Sequence, residues 1–330
     1  MMQRRQLLQL GMGLGLGHGL GVCAEARESL IWQERSLVGF GTTLWLKAAH
    51  TDASRLHEAL DASVKAIRSV EKQMSLFDPD SALSRLNRQG ELRKPDAQLL
   101  SVLTLSHYVS RRSAGAFDVT MQPLWNLWSL HSQSQTLPSS KALSQTRSLV
   151  NWQAMSVSAD VVRLHAKGMG VSLNGIAQGY AADKVRAVLQ SHGVAHALID
   201  TGETALLGKS AQGEDWNFAV EPSVTSTLAP PVIHPHGLAT ATSSDAHTVF
   251  SADHLHHHIL NPHTGDSPKH WASVSVMAPS CALADALTKV FFMCPPQGVE
   301  RLAKAWGVGV VLQDKRGEWS SYLQKTMLVS

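Results

Sequence analysis

The chain has little of what would cross-link a fold or grip a polyanion. Three cysteines in 330 residues are too few for a disulfide-built scaffold. Beyond the N-terminus no run of like charge is longer than the pair Arg111-Arg112, and 29 Lys and Arg against 26 Asp and Glu leave a formal charge of only +3. The concentrated basic face of a nucleic-acid or membrane-surface protein is therefore missing. No internal repeat and no sharp shift of composition marks a domain boundary. What remains, 44% hydrophobic and 17% charged residues, is an ordinary globular composition, long enough to bury a sizeable core.

The one extended apolar stretch, Leu7 to Val22, is short and rich in glycine. Arg4 and Arg5 precede it, and the small-x-small triplets Val22-Cys23-Ala24 and Ala24-Glu25-Ala26 follow. Residues 1–26 thus read as a twin-arginine export signal, leaving 27–330 as one nearly neutral periplasmic domain with no stable membrane span. A lipid on Cys23 is not expected, because bulky Val22 stands where such sites want Gly or Ala. Cys281 and Cys294 then remain, and read as buried thiols.

Leu56, Leu60, Val64, Ile67, Val70 and Met74 recur at steps of three and four, which predicts an amphipathic helix over 53–74. Further helices are expected at 96–112, opening on Pro95-Asp96 and closing on Arg111-Arg112, and at 180–190, 281–293 and 297–306. Buried strands are expected at 194–199 and 308–312. Polar stretches at 129–148 and 224–235 read as surface loops, and 115–120 as a turn leading into a strand. Helices and strands interleave without regular alternation, so the fold class is α+β rather than doubly wound.

Four regions carry polar residues and glycines that a core does not need: 74–87, 115–120, 171–180 with 200–203, and 241–245 with 258–265 and 284–289. Asp78-Pro79-Asp80-Ser81 is by itself turn and N-cap chemistry. Residues 171–180 set Asn174, Gly175 and Gly179 at a helix entry, where backbone N–H groups favour an anionic phosphate, although plain turns use the same residues. Gly202 and Glu203 follow at a strand end. Asp285 lies in an otherwise apolar helix between Leu283 and Leu287, so its carboxylate needs either a cation or a salt-bridge partner. His254, His256 and His258 would share one face of a strand, yet no Cys or carboxylate stands at matching spacing, so a zinc site is not expected.

Taken together and in order, from about residue 39 to about residue 307, these segments resemble the FAD:protein FMN transferase (ApbE) family. Phe40-Gly41-Thr42-Thr43 is similar to its M-G-T, and MSLFDPDSALSRLN (74–87) to M-S-x-Y-x-P-x-S-x-L-S-x-x-N. GAFDVTMQPLWNLW (115–128) resembles G-A-F-D-x-T-x-x-P-L-x-x-L-W, and LNGIAQGYAAD (173–183) resembles L-G-G-I-A-K-G-Y-A-x-D. HILNPHTG (258–265) and SCALADALTKVFF (280–292) are similar to H-I-x-D-P-x-T-G and to a late S-x-x-x-A-D-A-L-x-T helix.

The resemblance implies a T-fold-related domain of mixed sheets with packed helices. It implies binding of FAD with Mg²⁺ and transfer of the FMN half to a threonine of a partner protein, with release of AMP. The partner would be a subunit of a membrane-bound redox complex, as in branches tied to respiratory-complex maturation, including the NosX-like ones. Asp285 and His258 take catalytic roles on this reading. Phe40, Phe77, Ala116, Phe117 and Asp118 fall at flavin-nucleotide positions, as do Ser172, Gln178, Gly202, Glu203 and Ile259. Gly175, Asp285 and Thr288 fall at or beside the metal, and Lys289 occupies the family's threonine-ligand position.

The departures lie in that last group. The family's threonine stands four residues after the Asp, but position 289 is Lys and the threonine is at 288. A helix turns about 100° per residue, so Thr288 points elsewhere. Lys289, one turn from Asp285, can pair with it and stand in for the cation's charge. Ser172 replaces a usual Asp and Gln178 a usual Lys. The competing expectation is an ApbE-like scaffold that binds FAD, or docks a redox partner, without transfer.

Overall fold

The computed structural model describes residues 29–220, 222–223, 228–246, 248–251, 253 and 255–323. The expected export signal, His254 and part of 224–235 lie outside them.

Strands β1 (Ile31–Gly39) and β2 (Thr42–His50) form a hairpin closed by Phe40 and Gly41. Both turn residues have positive φ, 50° and 76°, which a two-residue turn matching strand twist demands. The helix expected at 53–74 is α1 (Ala53–Met74), started by the Asp52 carboxylate, which accepts from the Ser54 and Arg55 N–H groups. Then come α2 (Ala82–Gln89), β3 (Glu91–Arg93), α3 (Ala97–Arg112), α4 (Gln122–Gln133), α5 (Ser140–Arg147), β4 (Met155–Val157) and β5 (Val161–Leu164). The centre of the chain supplies α6 (Ala177–Ser191), β6 (His196–Asp200), β7 (Thr204–Leu207), β8 (Phe218–Ala219), β9 (Val232–Ile233) and β10 (Ala239–Ser244). The last part adds β11 (Trp271–Ala278), α7 (Cys281–Phe292), α8 (Val299–Trp306), β12 (Gly309–Asp314) and β13 (Trp319–Tyr322).

Eight strands make one antiparallel sheet in the order β1-β2-β6-β7-β10-β11-β12-β13. It has two halves. Between β1-β2-β6-β7 and helices α1 and α6 lies a core holding Leu44, Leu46, Leu56, Leu60, Ile67, Val185, Leu189 and Ile199. Between β10-β11-β12 and helices α3 and α7 lies a larger one holding Leu99, Leu103, Val274, Val276, Leu287, Phe291 and Phe292. The halves join at a thin seam where β7 and β10 pair only through Thr204 and Thr240. The architecture is α+β.

Several local expectations change. Residues 129–148 are not a loop: they contain the end of α4 and all of α5. Helix α5 buries no residue, so it has no apolar stripe to read, and it is held by its Ser139 cap, whose Oγ accepts from the Ala142 N–H. The turn at 115–120 leads into α4 rather than a strand, because Pro123 in the first turn suits a helix start. Within 224–235, Val232 and Ile233 pair with Phe218 and Ala219. Cys281 and Cys294 are free thiols, the first buried and the second half-buried. They flank α7, whose rise separates them by roughly 20 Å, too far for a bond. Burial pushes the Cys281 thiol well up, which keeps it inert.

Candidate active site

The site is set by how α6 meets α7. The Asp183 carboxylate on α6 accepts from the Cys281 N–H (2.9 Å), the Ala282 N–H (3.0 Å) and the Ser280 hydroxyl (2.8 Å), capping α7 from outside its own chain segment. Arg186 holds Asp183 in place at 2.9 Å. At the same corner the helices touch backbone to backbone, since a Cβ on Gly179 would overlap the Cys281 carbonyl. One turn further along α7, Asp285 therefore arrives at the start of α6. It is buried, 1% exposed, and its Oδ2 accepts from the Gly179 N–H at 3.3 Å.

Lys289 completes this junction. Its Nζ lies 2.5 Å from Asp285 Oδ1, and its side chain crosses the face of Gly175, where a Cβ would stand 2.9 Å from Lys289 Cε. The salt-bridge partner and the cation that Asp285 calls for are thus one group. Thr288 turns away, as the 100° step requires. Its hydroxyl donates to the Asp285 carbonyl (2.7 Å) and accepts from the Ser243 hydroxyl (2.7 Å).

Glu203 reaches the junction from the seam of the sheet. The Thr242 N–H donates to Glu203 Oε2 at 2.8 Å. A backbone donor at the thin joint is thereby satisfied by a side chain. Burial and the neighbouring Asp285 charge hold the Glu203 carboxyl well above the usual range. Gln178 lies alongside: its backbone carbonyl accepts from Thr201 Oγ1 at 2.8 Å, and its side-chain amide packs against Gly202, where φ is +95° and a Cβ would collide. Gly175, Gln178, Gly202, Glu203, Asp285, Thr288 and Lys289 are therefore brought together.

The other motif segments brace this group. The Asn87 side chain both donates to the Val171 carbonyl (2.8 Å) and accepts from its N–H (2.7 Å), and the Ser172 N–H donates to the Val119 carbonyl at 2.8 Å. Asp118 is buried and raised by desolvation. Its Oδ1 accepts from the Thr120 N–H and hydroxyl, and its Oδ2 from the Trp152 N–H, so it fixes the loop that carries Ala116. His263 lies against Gly115, joining this loop to 258–265. Phe117 and Ile259 are 5% and 4% exposed and belong to the larger core. Phe40 is half-buried at the hairpin tip, its N–H donating to Glu71 Oε1 at 2.7 Å. Phe77, by contrast, is 80% exposed. His258 stands on a separate loop with Nδ1 3.2 Å from the Thr248 carbonyl, which makes Nδ1 the protonated nitrogen and Nε2 the basic one.

The histidines of 255–263 each serve a different contact. His256 pairs with Asp266 at 2.6 Å and stacks on Trp128 with centroids 4.7 Å apart. His257 is fully buried, and burial together with the Lys315 ammonium pushes it down to about 4. Unfolded, it returns to about 6.5, so between these values the unfolded chain holds a proton that the native chain refuses. That contribution to stability is complete above pH 6.5 and is lost as pH falls toward 4, by about 3 kcal/mol. Urea melts from pH 7 to 4 should show this slope, and His257→Gln, which keeps a donor for the Pro268 carbonyl, should flatten it.

Two surface hollows, of about 570 Å³ beside His50 and Asp52 and about 440 Å³ between Asn87, Pro123 and Gly170, lie away from the Asp285–Lys289 pair. The acid–ammonium pair lies instead at the helix junction. Sequence reasoning singles out 241–245 but not the partners of Thr242 and Ser243, and it missed Asp183 as a cap. Their hydrogen bonds join segments 39 or more residues apart, and those of Thr242 and Asp183 involve backbone N–H groups that leave no trace in residue type.

An antiparallel sheet on which helices α6 and α7 meet at an acid–ammonium pair, with glycine turns on either side, defines an α+β domain whose densest polar cluster lies at that junction. Residues 40–312 match the model of the ApbE family, and the chain belongs to that family. It is 30% identical over 244 residues to the FAD:protein FMN transferase of Vibrio cholerae, covering 72% of each chain. It is 26% identical to that of Salmonella typhimurium, covering 93% of this chain and 94% of the relative. The solved flavin transferase ApbE from Vibrio cholerae superposes with a TM-score of 0.78 at 25% identity, over 90% of this chain and 98% of that one.

Proposed function

We propose that this chain is an FAD:protein FMN transferase. It binds FAD at the α6–α7 junction and moves the FMN half to a threonine of an acceptor, a subunit of a membrane-bound redox complex. The work takes place in the periplasm, after export directed by residues 1–26. One observation carries the reading: segments 173–183, 200–203 and 280–292 meet about Asp285 and Lys289 at the start of α6, while 74–87 and 115–128 brace residues 171–172 and 258–265 packs on the 115–128 loop. Family membership and the relatives' names supply the substrate.

In the transfer, the acceptor threonine Oγ forms a bond to the flavin-side phosphorus while that phosphorus loses its bond to the oxygen that departs on AMP. The threonine proton passes to a base, and His258 Nε2 is the group assigned to it. Holding FAD and acceptor together makes the attack nearly unimolecular. The Lys289 ammonium offsets charge gathering on the phosphates.

Mg²⁺ is the cofactor the resemblance implies, and it would supply the same neutralisation to the departing AMP. The donor set does not fit it. Asp285 Oδ1 holds the ammonium, Oδ2 takes the Gly179 N–H, and the Thr288 hydroxyl is spent on the Asp285 carbonyl and Ser243. A dication about 4 Å from that ammonium would meet a repulsion of about 8 kcal/mol at an effective dielectric of about 20. No step above runs through a metal. No helix among the described residues is long and apolar enough to cross a membrane.

Incubated with FAD and a threonine-bearing acceptor peptide, the purified chain should add the mass of FMN to the peptide and release one AMP per label. His258→Ala should slow labelling by about 100-fold while FAD binding changes little. FAD retained with no labelling under any divalent metal would favour the scaffold reading.

A further inference from the structure

Lys289 does more than neutralise Asp285. Its ammonium has three N–H donors, and its contacts among the described residues use two, one to Asp285 Oδ1 at 2.5 Å and one to the Asp285 carbonyl at 3.3 Å. Its side chain is 22% exposed, whereas Asp285 beside it is 1% exposed. Nζ would stand 3.6 Å from a Cβ on Gly175, so the charge lies between the acid of α7 and the glycine turn that opens α6. A divalent ion using those two elements would need this same space.

We propose that Lys289 is the resident cation of this junction, and that the chain holds the pyrophosphate of FAD on its ammonium without a divalent metal. The inference rests on the reading of the junction as an FAD site. Geometry favours it over a simple structural pair. A buried Asp needing only neutralisation is served by any partner, but this one is threaded past a glycine with no side chain to obstruct it, and keeps a donor in hand toward solvent. A lysine ammonium is a compact charge suited to phosphate oxygens.

Flavin fluorescence titrations of the purified full chain in EDTA and in millimolar MgCl₂ test it, with electron paramagnetic resonance of added Mn²⁺ as a separate readout. The unaltered chain should bind FAD equally in both buffers and leave the free Mn²⁺ signal unchanged. Lys289→Thr should weaken binding in EDTA by about tenfold, the loss of one charge-assisted contact. It should recover with MgCl₂ and should capture Mn²⁺, whereas Lys289→Arg should stay independent of metal. The inference falls, and the FAD reading stands, if EDTA weakens binding to the unaltered chain by about tenfold or if that chain captures Mn²⁺. If the unaltered chain takes up no FAD in either buffer, the FAD reading itself fails. Should Lys289→Thr not fold, as circular dichroism would show, the comparisons on the unaltered chain still decide.

Discussion

Asp285→Ala should cut the rate of AMP release by about 100- to 1000-fold, the scale of losing one preorganised charge contact, yet destabilise the protein less than most losses of a buried charge partner. The activity loss follows from position: without Asp285 Oδ1, the Lys289 ammonium keeps only the longer 3.3 Å contact to the carbonyl of residue 285 and is no longer fixed across Gly175. Breaking a buried ion pair costs about 3–5 kcal/mol when the orphaned charge cannot escape. Lys289 can, being 22% exposed. Glu203 also gains: burial above all, and the Asp285 charge after it, hold its carboxyl up, and removing that charge relieves the second cause. We therefore expect a loss nearer 2 kcal/mol in urea melts. The double variant Asp285→Ala with Lys289→Met should regain part of that stability and none of the activity, because two uncharged groups there cost less than one stranded charge. Stability losses that merely add would show that the pair is not coupled.

What could be read ahead of the fold, and what could not, divides along one line. Helix α1 was legible to the residue because its apolar positions repeat at steps of three and four from Leu56 to Met74. Asp285 was legible because a carboxylate among Leu283, Leu287 and Val290 has to be answered, and Lys289 at the next turn was the local answer. Both signals are short-range. Strand β1 was not read, since as an edge strand it buries only Gly39 and so shows no buried alternation. Strand β11 is buried at all eight positions, but Ser273 and Ser275 interrupt its apolar run, and Ser275 is explained only by its partner Thr242 on β10. The bond from the Thr242 N–H to Glu203 spans 39 residues, and the cap that Asp183 places on Cys281 spans 98. The glycines and acids of the motifs were visible, but their partners were mostly backbone groups chosen by the fold.

Gly179→Ala should lower stability by about 3 kcal/mol, and Gly179→Val by more, although alanine in place of a helical glycine ordinarily raises it by about 1 kcal/mol. The reversal comes from what a Cβ would meet. Built on Gly179, it stands 2.6 Å from the Cys281 carbonyl carbon and 2.8 Å from the Ala282 nitrogen. These are backbone atoms of the first turn of α7, which have no rotamer by which to yield. The helices would have to part, and the three hydrogen bonds that Asp183 makes to Ser280, Cys281 and Ala282 stretch with them. So does the bond from the Gly179 N–H to Asp285 Oδ2, already 3.3 Å long. The chemical consequence is separable from the loss of stability. At temperatures where Gly179→Ala remains folded, FAD affinity should already be reduced, because the acid–ammonium pair on α7 has moved off the glycine turn of α6. Urea unfolding and flavin titration on the same preparation check both effects. A variant as stable as the parent would show that α6 and α7 do not touch at this corner, and the placement of Asp285 would then need another cause.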